Sequence, residues 1–339
     1  MKIAVIESVG KLAVRDIPVP KPNAYQALVK MDMVGVCSAT DRKLVHSIKP
    51  FAPTFPAILG HESVGTVVEV GERVQAYHIG DRVLRSCALY PGHSGPDGLS
   101  SAWGSFAEYA LVTDLETWKQ EEPEGEHTRY GYARLQKTVP TSLTPEEACL
   151  LITWKETYSS LTQAGAIGGK HVAVLGDGAV GLSFVAWSKS LGAASIQCVG
   201  RREFRLERAR QAGATSICNV RAGEEFAGGR DFDVVIDTLG TNDAVAQSLP
   251  RLKPGGAFCV YGVADFETKF DRSFAPASWS YIQANPDEAG VHDAALAHLA
   301  EKPFDPALWI TFRGGLEDLP AAFDHLQTPQ SLKAVIQFS

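Results

Sequence analysis

The chain has 339 residues, of which 45% are hydrophobic and 21% are charged, and these values predict a globular protein with a large core and two domains. A formal net charge of −7 argues against broad binding to nucleic acids or anionic membranes. The chain has neither a run of eighteen apolar residues nor a signal-peptide core, so no membrane span is expected and the cytoplasm is the default location.

The six cysteines are scattered along the chain and form no Cys-x-x-Cys pair. This scatter is typical of proteins in a reducing compartment. Cys198 and Cys259 lie in apolar runs, and we expect them to be buried reduced thiols.

Residues 1 to about 145 predict a compact β-rich domain. Short valine-bearing runs, such as 65–71 and 82–84, are broken by Gly and Pro, as in domains with short strands and irregular loops. Residues 116–132 are polar and acidic, and we interpret them as a surface insertion whose charges are solvated rather than part of a binding face.

Three residues in this first domain are candidate metal ligands. Cys37 is followed about two dozen residues later by His61 and Glu62. A thiolate and an imidazole suit Zn²⁺, and a catalytic zinc site also needs a third protein ligand and an open position. Taken alone, each residue also has a structural explanation, since a lone His near a turn is usually structural.

The pattern changes after residue 145. Thr144, Pro145 and two acidic residues predict the start of a helix. Beyond it, apolar runs alternate with stretches of helical spacing; the runs are 171–175, 195–199, 233–237 and 256–261, and the helical stretches are 179–191, 202–213 and 242–252. This alternation predicts an α/β domain over 146–285, in which helices cover both faces of a parallel sheet.

A glycine-rich loop follows the first of these apolar runs and begins a helix. Its residues are Gly176, Asp177, Gly178, Ala179, Val180 and Gly181. Gly176 permits a tight turn, Gly178 lets a pyrophosphate approach the backbone, and Gly181 allows close packing of helix on strand. The loop therefore predicts a dinucleotide site, and the alternative is a glycine-rich turn in a domain that binds no nucleotide.

The end of the second run indicates which dinucleotide is bound. NAD enzymes usually place Asp or Glu there to hold the ribose 2′-hydroxyl, whereas this chain has Gly200, Arg201 and Arg202. Because guanidinium groups pair well with a 2′-phosphate, we predict NADP(H) as the cofactor. The alternative is that both arginines are solvated residues at a helix start.

The C-terminal part of the chain is predicted to complete the first domain. It contains a helical stretch over 287–301 and a strand-like run over 333–338. We expect residues 286–339 to return to the β-rich domain, which then comprises 1–145 and this segment.

Taken together, these motifs resemble those of the medium-chain dehydrogenase/reductase superfamily, in its zinc-type alcohol and polyol dehydrogenase branch. The resemblance covers essentially the whole chain and rests on Gly35-Val36-Cys37, Gly60-His61-Glu62 with Gly65 and Val67, Gly80-Asp81-Arg82-Val83, Gly104-Ser105-Phe106-Ala107-Glu108-Tyr109 and the Gly176–Gly181 loop. It implies a GroES-like catalytic domain, a Rossmann domain, an active-site cleft between them, one catalytic zinc, and a homodimer or homotetramer.

The resemblance places Cys37 and His61 in the first two zinc-ligand positions. The family's third position falls on Ile152 or the next residue, and isoleucine cannot bind zinc. Glu62 is therefore the expected third ligand, as in similar polyol and glucose dehydrogenases, and Glu156 is the alternative. If Glu62 does not bind the metal, we expect it to orient the ligands or to pair with an Arg.

Two further features depart from the family. The segment after the cysteine is one residue longer than usual, so the hydroxyl that relays a proton is expected from Thr40, or else from Ser38. Asp41 is expected to hold a ligand His or an Arg. Cys87 is the only cysteine in residues 85–105, and one thiol cannot complete a tetrahedral site, so no structural zinc is expected.

The predicted function is zinc-dependent hydride transfer between NADP(H) and an alcohol or carbonyl, with a polyol, sugar or cyclitol as the expected substrate. Aromatic residues could line the cleft, although each is more often simple packing; they are Phe51, Trp103, Trp154 and Trp279. One alternative is a zinc-free NADPH-dependent reductase of an activated C=C or imine, and another is a non-catalytic NADPH-binding protein. The sequence leaves open the specific substrate, the direction of the reaction and the size of the oligomer.

Overall fold

The chain folds into short strands and helices that divide into two compact units. The computed structural model describes residues 1–50, 52–226, 228–265 and 267–338. The strands in chain order are β1 (Lys2–Ser8), β2 (Lys11–Asp16), β3 (Gln26–Val36), β4 (Ala57–Ile58), β5 (Glu62–Val70), β6 (Arg82–Leu84), β7 (Ser100–Ser101), β8 (Tyr109–Thr113), β9 (Thr138–Val139), β10 (His171–Leu175), β11 (Ser195–Gly200), β12 (Ser216–Asn219), β13 (Phe232–Asp237), β14 (Leu252–Val260), β15 (Trp279–Gln283), β16 (Ile310–Gly314) and β17 (Lys333–Gln337). The α-helices are α1 (Thr40–Val45), α2 (Leu115–Glu121), α3 (Pro145–Gln163), α4 (Ala179–Ser190), α5 (Glu203–Ala212), α6 (Asn242–Ser248), α7 (His292–Glu301) and α8 (Leu319–Leu326).

One unit contains residues 1–152 and the C-terminal segment from Ile310, and the other contains Thr153–Trp309. This division falls inside α3 and differs from the predicted domain boundaries after residues 145 and 285. Residues 286–309 belong to the second unit because α7 is held beside α4. Lys302 Nζ donates to the carbonyl of Ser190 at 2.9 Å, and Ser190 Oγ lies 2.6 Å from His298 Nε2.

The first unit is built around β3. One of its sheets has the order β16-β17-β3-β5-β6-β9, with β8 also pairing with β3, and a second has the order β2-β1-β4-β7. Nine of the eleven residues of β3 are buried, which explains its nearly continuous apolar sequence. The last strand, β17, returns to this sheet and pairs antiparallel with β3.

The second unit is a parallel sheet with the strand order β12-β11-β10-β13-β14-β15. Neighbouring strands run outward from β10 in both directions, which is the doubly wound arrangement of dinucleotide-binding folds. The carboxyl ends of β10 and β11 lie side by side, since Leu175 pairs with Val199. The glycine-rich loop and Gly200 therefore lie at the same edge of the sheet.

The acidic segment 116–132 is anchored in the first unit. It forms α2 and a 3-10 segment over Glu126–Leu135, and its Glu116 and Glu124 are exposed. Trp118 is buried, however, and its ring stacks on Tyr25 at 5.0 Å between centroids. The charges are on the surface as expected, whereas the buried indole makes this segment part of the packed unit.

The six cysteines all lie in the described residues and are free thiols, and Cys198 and Cys259 are buried as predicted. Among the helices of the described residues, none has both the length and the apolar character needed to cross a bilayer.

Candidate metal and dinucleotide sites

The register of the sheet brings the candidate metal ligands together. Gly35 in β3 pairs with Glu62, the first residue of β5, and Cys37 follows β3 directly. One ligand atom from each of Cys37, His61 and Glu62 lies within 4.8 Å of the other two. Among the described residues, this is the group of three or more cysteine, histidine and acidic side chains that could hold one metal ion.

Two glycines keep this group compact. Gly60 has a φ of +104°, and a Cβ there would lie 2.5 Å from Cδ2 of Phe106. A Cβ on Gly35 would lie 2.7 Å from Oε2 of Glu62. Larger residues at either position would displace the segment that carries His61 and Glu62.

Asp41 orients two of the three candidate ligands. Its Oδ1 lies 3.0 Å from Nδ1 of His61, and its Oδ2 accepts a hydrogen bond from the backbone N–H of Cys37 at 2.9 Å. The other ring nitrogen of His61, Nε2, lies 3.9 Å from Oε1 of Glu62. A carboxylate behind an imidazole whose second nitrogen faces other ligands is typical of zinc sites.

The electrostatics of the site favour positive charge at His61. Burial lowers the pKa of His61, but the neighbouring Asp41 and Cys37 outweigh burial and raise this pKa well above its ordinary value. The anionic groups around the imidazole therefore stabilise positive charge at this point. Sulfur, imidazole and carboxylate donors within this distance fit Zn²⁺.

Lys333 is part of this site, and sequence reasoning missed it. Its Nζ forms a buried ion pair with Oε2 of Glu62, so Oε1 is the oxygen nearer to His61. Burial alone would raise the pKa of Glu62, but Lys333, His61 and Arg85 together lower it below its ordinary value. The carboxylate is therefore ionised. Its Oε2 pairs with Lys333, and its Oε1 faces His61.

The residues that carry the candidate relay hydroxyls follow Cys37 closely in the chain. The backbone N–H of Thr40, at the start of α1, donates to Sγ of Cys37 at 3.3 Å. Ser38 is exposed. The relay role of either hydroxyl stays a prediction.

The other candidate positions are found in different surroundings. Ile152 is a fully buried apolar residue. The carboxylate of Glu156 accepts a hydrogen bond from the hydroxyl of Tyr261 at 3.0 Å. Both observations favour Glu62 over these positions as the third ligand.

Of the aromatic candidates, Trp103 adjoins the candidate metal site, with its ring centroid 5.4 Å from that of His61. Trp154 packs in the second unit against Phe304, and Trp279 packs there against Phe270. Phe51 lies outside the described residues.

The glycine-rich loop is closely packed at two of its glycines and open at the third. Gly176 has a φ of +116°, and a Cβ on Gly181 would lie 1.9 Å from the carbonyl oxygen of Gly176, so both positions require glycine. A Cβ on Gly178 would meet no atom within 4 Å. This open space lies at the N-terminus of α4, which begins at Ala179, and a helix N-terminus is favourable for an anion.

Asp177 connects this loop to the end of β11. Its Oδ2 accepts hydrogen bonds from the backbone N–H groups of Arg201 and Arg202, at 2.7 and 2.8 Å. Its Oδ1 lies 3.9 Å from Nη1 of Arg205, a residue that sequence reasoning missed. The only available signal was a third arginine one helical turn after the pair.

Comparisons with known proteins identify the family. The family model described as "Alcohol dehydrogenase GroES-like domain" matches residues 23–122, and the one described as "Zinc-binding dehydrogenase" matches residues 179–279. A sorbitol dehydrogenase of Bacillus subtilis (strain 168) is 30% identical over 272 residues, which cover 78% of this chain and 75% of that protein. The chain belongs to the medium-chain dehydrogenase/reductase superfamily, in its zinc-type alcohol and polyol dehydrogenase branch.

Two further relatives of this medium-chain dehydrogenase match nearly its whole length. A sorbitol dehydrogenase of Ovis aries is 26% identical over 343 residues, covering 98% of this chain and 95% of that protein. A solved structure from Sinorhizobium meliloti 1021, bound to NADP and assigned to the zinc-binding dehydrogenases, is 25% identical, covers 99% of both chains and has a TM-score of 0.79. The predicted fold class, a GroES-like β-rich domain plus a Rossmann domain, is confirmed. The protein is an oxidoreductase of the alcohol and polyol dehydrogenase type.

Proposed function

We propose that this dehydrogenase is zinc-dependent and transfers a hydride between NADP(H) and an alcohol or carbonyl, with a polyol, sugar or cyclitol as substrate. The observation that carries the proposal is the compact group of Cys37, His61 and Glu62 with Asp41 behind it. Relatives named sorbitol dehydrogenases support the substrate class. The structural neighbour bound to NADP supports the cofactor.

In this proposal, Cys37, His61 and Glu62 hold the metal. When bound, zinc supplies polarisation of the substrate oxygen, which lowers the pKa of an alcohol. Asp41 fixes the ring of His61 and the backbone of Cys37. Lys333 holds one oxygen of Glu62, which leaves the other oxygen for the metal.

The proton and the cofactor are handled by other residues. The hydroxyl of Thr40, or else that of Ser38, carries the substrate proton towards solvent. The loop from Gly176 to Gly181 binds the pyrophosphate, and the side chains of Arg201 and Arg202 bind the 2′-phosphate. We also propose a cytoplasmic homodimer or homotetramer, and light scattering tests its oligomeric size.

The experiment that tests this function is a substrate panel read by NADPH absorbance. Polyols, aldoses and aldehydes are assayed with NADP(H) and with NAD(H), using the wild-type protein and the Cys37→Ala variant. We expect turnover of a polyol or sugar with a higher kcat/KM for NADP(H), and loss of turnover in Cys37→Ala with NADPH binding retained. Turnover in Cys37→Ala at the wild-type rate would contradict the role of the metal, and a preference for NAD(H) would contradict the cofactor assignment.

One observation favours a second candidate function, since Ile152 places an apolar side chain at the family's usual third ligand position. This candidate is a zinc-free NADPH-dependent reductase of an activated C=C or imine. It predicts turnover of such substrates in Cys37→Ala and in protein treated with a chelator, so activated C=C and imine substrates and both preparations are added to the panel.

A further inference from the structure

A negative charge lies at the end of β11 although the sequence has no acidic residue there. Gly200 ends this strand, and a Cβ on Gly200 would lie 2.5 Å from Cβ of Asp177. The carboxylate of Asp177 therefore occupies the space that the missing side chain leaves. In dinucleotide-binding folds, the end of the second strand is where the adenosine ribose is held.

Asp177 is fixed in this position by contacts on both carboxylate oxygens. Oδ2 accepts the backbone N–H groups of Arg201 and Arg202, and Oδ1 faces the guanidinium group of Arg205 at 3.9 Å. The side chains of Asp177 and Arg205 are each only 10% exposed. Solvent and salt therefore screen this pair less than they screen a surface pair.

The charge of Asp177 matters for the choice of dinucleotide. NADP carries a 2′-phosphate with a charge of about −1.5 to −2, as for other phosphate monoesters near neutral pH, whereas NAD has a hydroxyl at the same position. A carboxylate beside this phosphate would disfavour NADP unless a nearby cation compensates for it. Burial and the neighbouring Arg202 lower the pKa of Arg205 to about 10, so Arg205 remains a cation at neutral pH.

We propose that Arg205 is a positioning residue for cofactor choice, which favours a 2′-phosphate by compensating for the charge of Asp177. This role differs from direct contact of the phosphate with Arg201 and Arg202. The inference rests on the proposed use of NADP(H), and it names the pair of residues that makes such use compatible with an acidic loop.

The test measures binding without catalysis. Adenosine 2′,5′-bisphosphate and 5′-AMP are titrated by calorimetry into the full-length wild-type protein and its variants. We expect Arg205→Met to bind the bisphosphate about tenfold more weakly, because a fixed charge is left uncompensated, while 5′-AMP binding changes less than about twofold. Arg205→Lys should keep most of the wild-type preference because it keeps the positive charge.

The double variant Arg205→Met/Asp177→Asn separates the proposed mechanism from direct contact. If Arg205 acts through Asp177, removal of the carboxylate should restore most of the lost affinity for the bisphosphate. A double variant as weak as Arg205→Met would overturn the proposal, because Arg205 would then bind the phosphate itself. The proposal would also be overturned if Arg205→Met and Arg205→Lys each lost as much affinity for 5′-AMP as for the bisphosphate. That result would indicate that Arg205 has a structural role.

The ratio of the affinities of the wild-type protein for the bisphosphate and for 5′-AMP tests the proposed cofactor separately. A wild-type protein that binds both ligands equally would contradict NADP preference. The role of Arg205 would still be decided by comparing this affinity ratio in the wild-type protein with the same ratio in Arg205→Met.

Discussion

At the residue scale, the candidate metal site depends on two side chains that bind no metal in the proposal. Asp41 contacts both His61 and the backbone of Cys37, and Lys333 pairs with Glu62. Both are buried, so their charges act with little screening by solvent. For each residue, the effect of a substitution in the buried pair can therefore be compared with the effect of the same substitution in an exposed pair.

Asp41→Asn should weaken zinc binding. Loss of the carboxylate behind His61 removes the group that orients the ring, and such losses typically cost about 10–100-fold in metal affinity. The measurement is competition for zinc with a chromophoric chelator. Asp81→Asn is the matched control because Asp81 faces the exposed His78, and it should leave zinc affinity unchanged. An unchanged affinity in Asp41→Asn would contradict the orienting role of Asp41.

Lys333→Met should destabilise the protein strongly, because it removes the lysine cation that is paired with the buried Glu62 carboxylate. Breaking one side of a buried ion pair costs about 3–5 kcal/mol, and Lys333→Met/Glu62→Gln should recover part of this loss. Urea unfolding with a chelator present measures the effect without metal binding.

The control for Lys333 is Lys2→Met, which breaks the exposed pair with Glu317 and should leave the free energy of unfolding nearly unchanged, because solvent screens this pair. Equal losses in Lys2→Met and Lys333→Met would show that the buried pair contributes no more than a surface pair.

At the element scale, continuous apolar runs in the sequence predicted the strands of the parallel sheet that they form. The apolar run 171–175 coincides with β10, and 233–237 differs from β13 by one residue. The two-residue strands β4 and β7 gave no periodic signal, because their pairing comes from neighbours distant in sequence. Lys333 was missed for a similar reason, since a lysine in a short strand is usually solvated and its partner Glu62 is far away in the chain.

The junction of β10 and α4 allows a paired test of the glycine-rich loop. Gly178→Ala meets open space, so we expect unchanged stability but weaker NADPH binding, because the methyl group takes the place of the pyrophosphate. Gly181→Ala forces a Cβ against the carbonyl of Gly176, so we expect a lower Tm.

Thermal unfolding and NADPH fluorescence titration measure the two effects separately. Gly178→Ala with wild-type affinity for NADPH would place the pyrophosphate elsewhere.

At the scale of the whole molecule, the order of the motifs along the chain made the family recognisable, and two family models match the corresponding segments. The resemblance named Cys37, His61 and Glu62 as a group, and the structure brings their ligand atoms together. The motifs did not predict Arg205 and Lys333. Arg205 contacts Asp177 and Lys333 contacts Glu62, and both contacts form only in the folded chain.

The proposed function requires that Cys37, His61 and Glu62 together hold one zinc ion. The most direct measurement is the metal content of the purified full-length protein, by inductively coupled plasma mass spectrometry, for wild-type, Cys37→Ala and His61→Ala. We predict about one zinc per wild-type chain, and almost none in the two variants while NADPH binding is retained. Wild-type protein purified with zinc in the medium but holding none, or variants that keep the full amount, would contradict the claim.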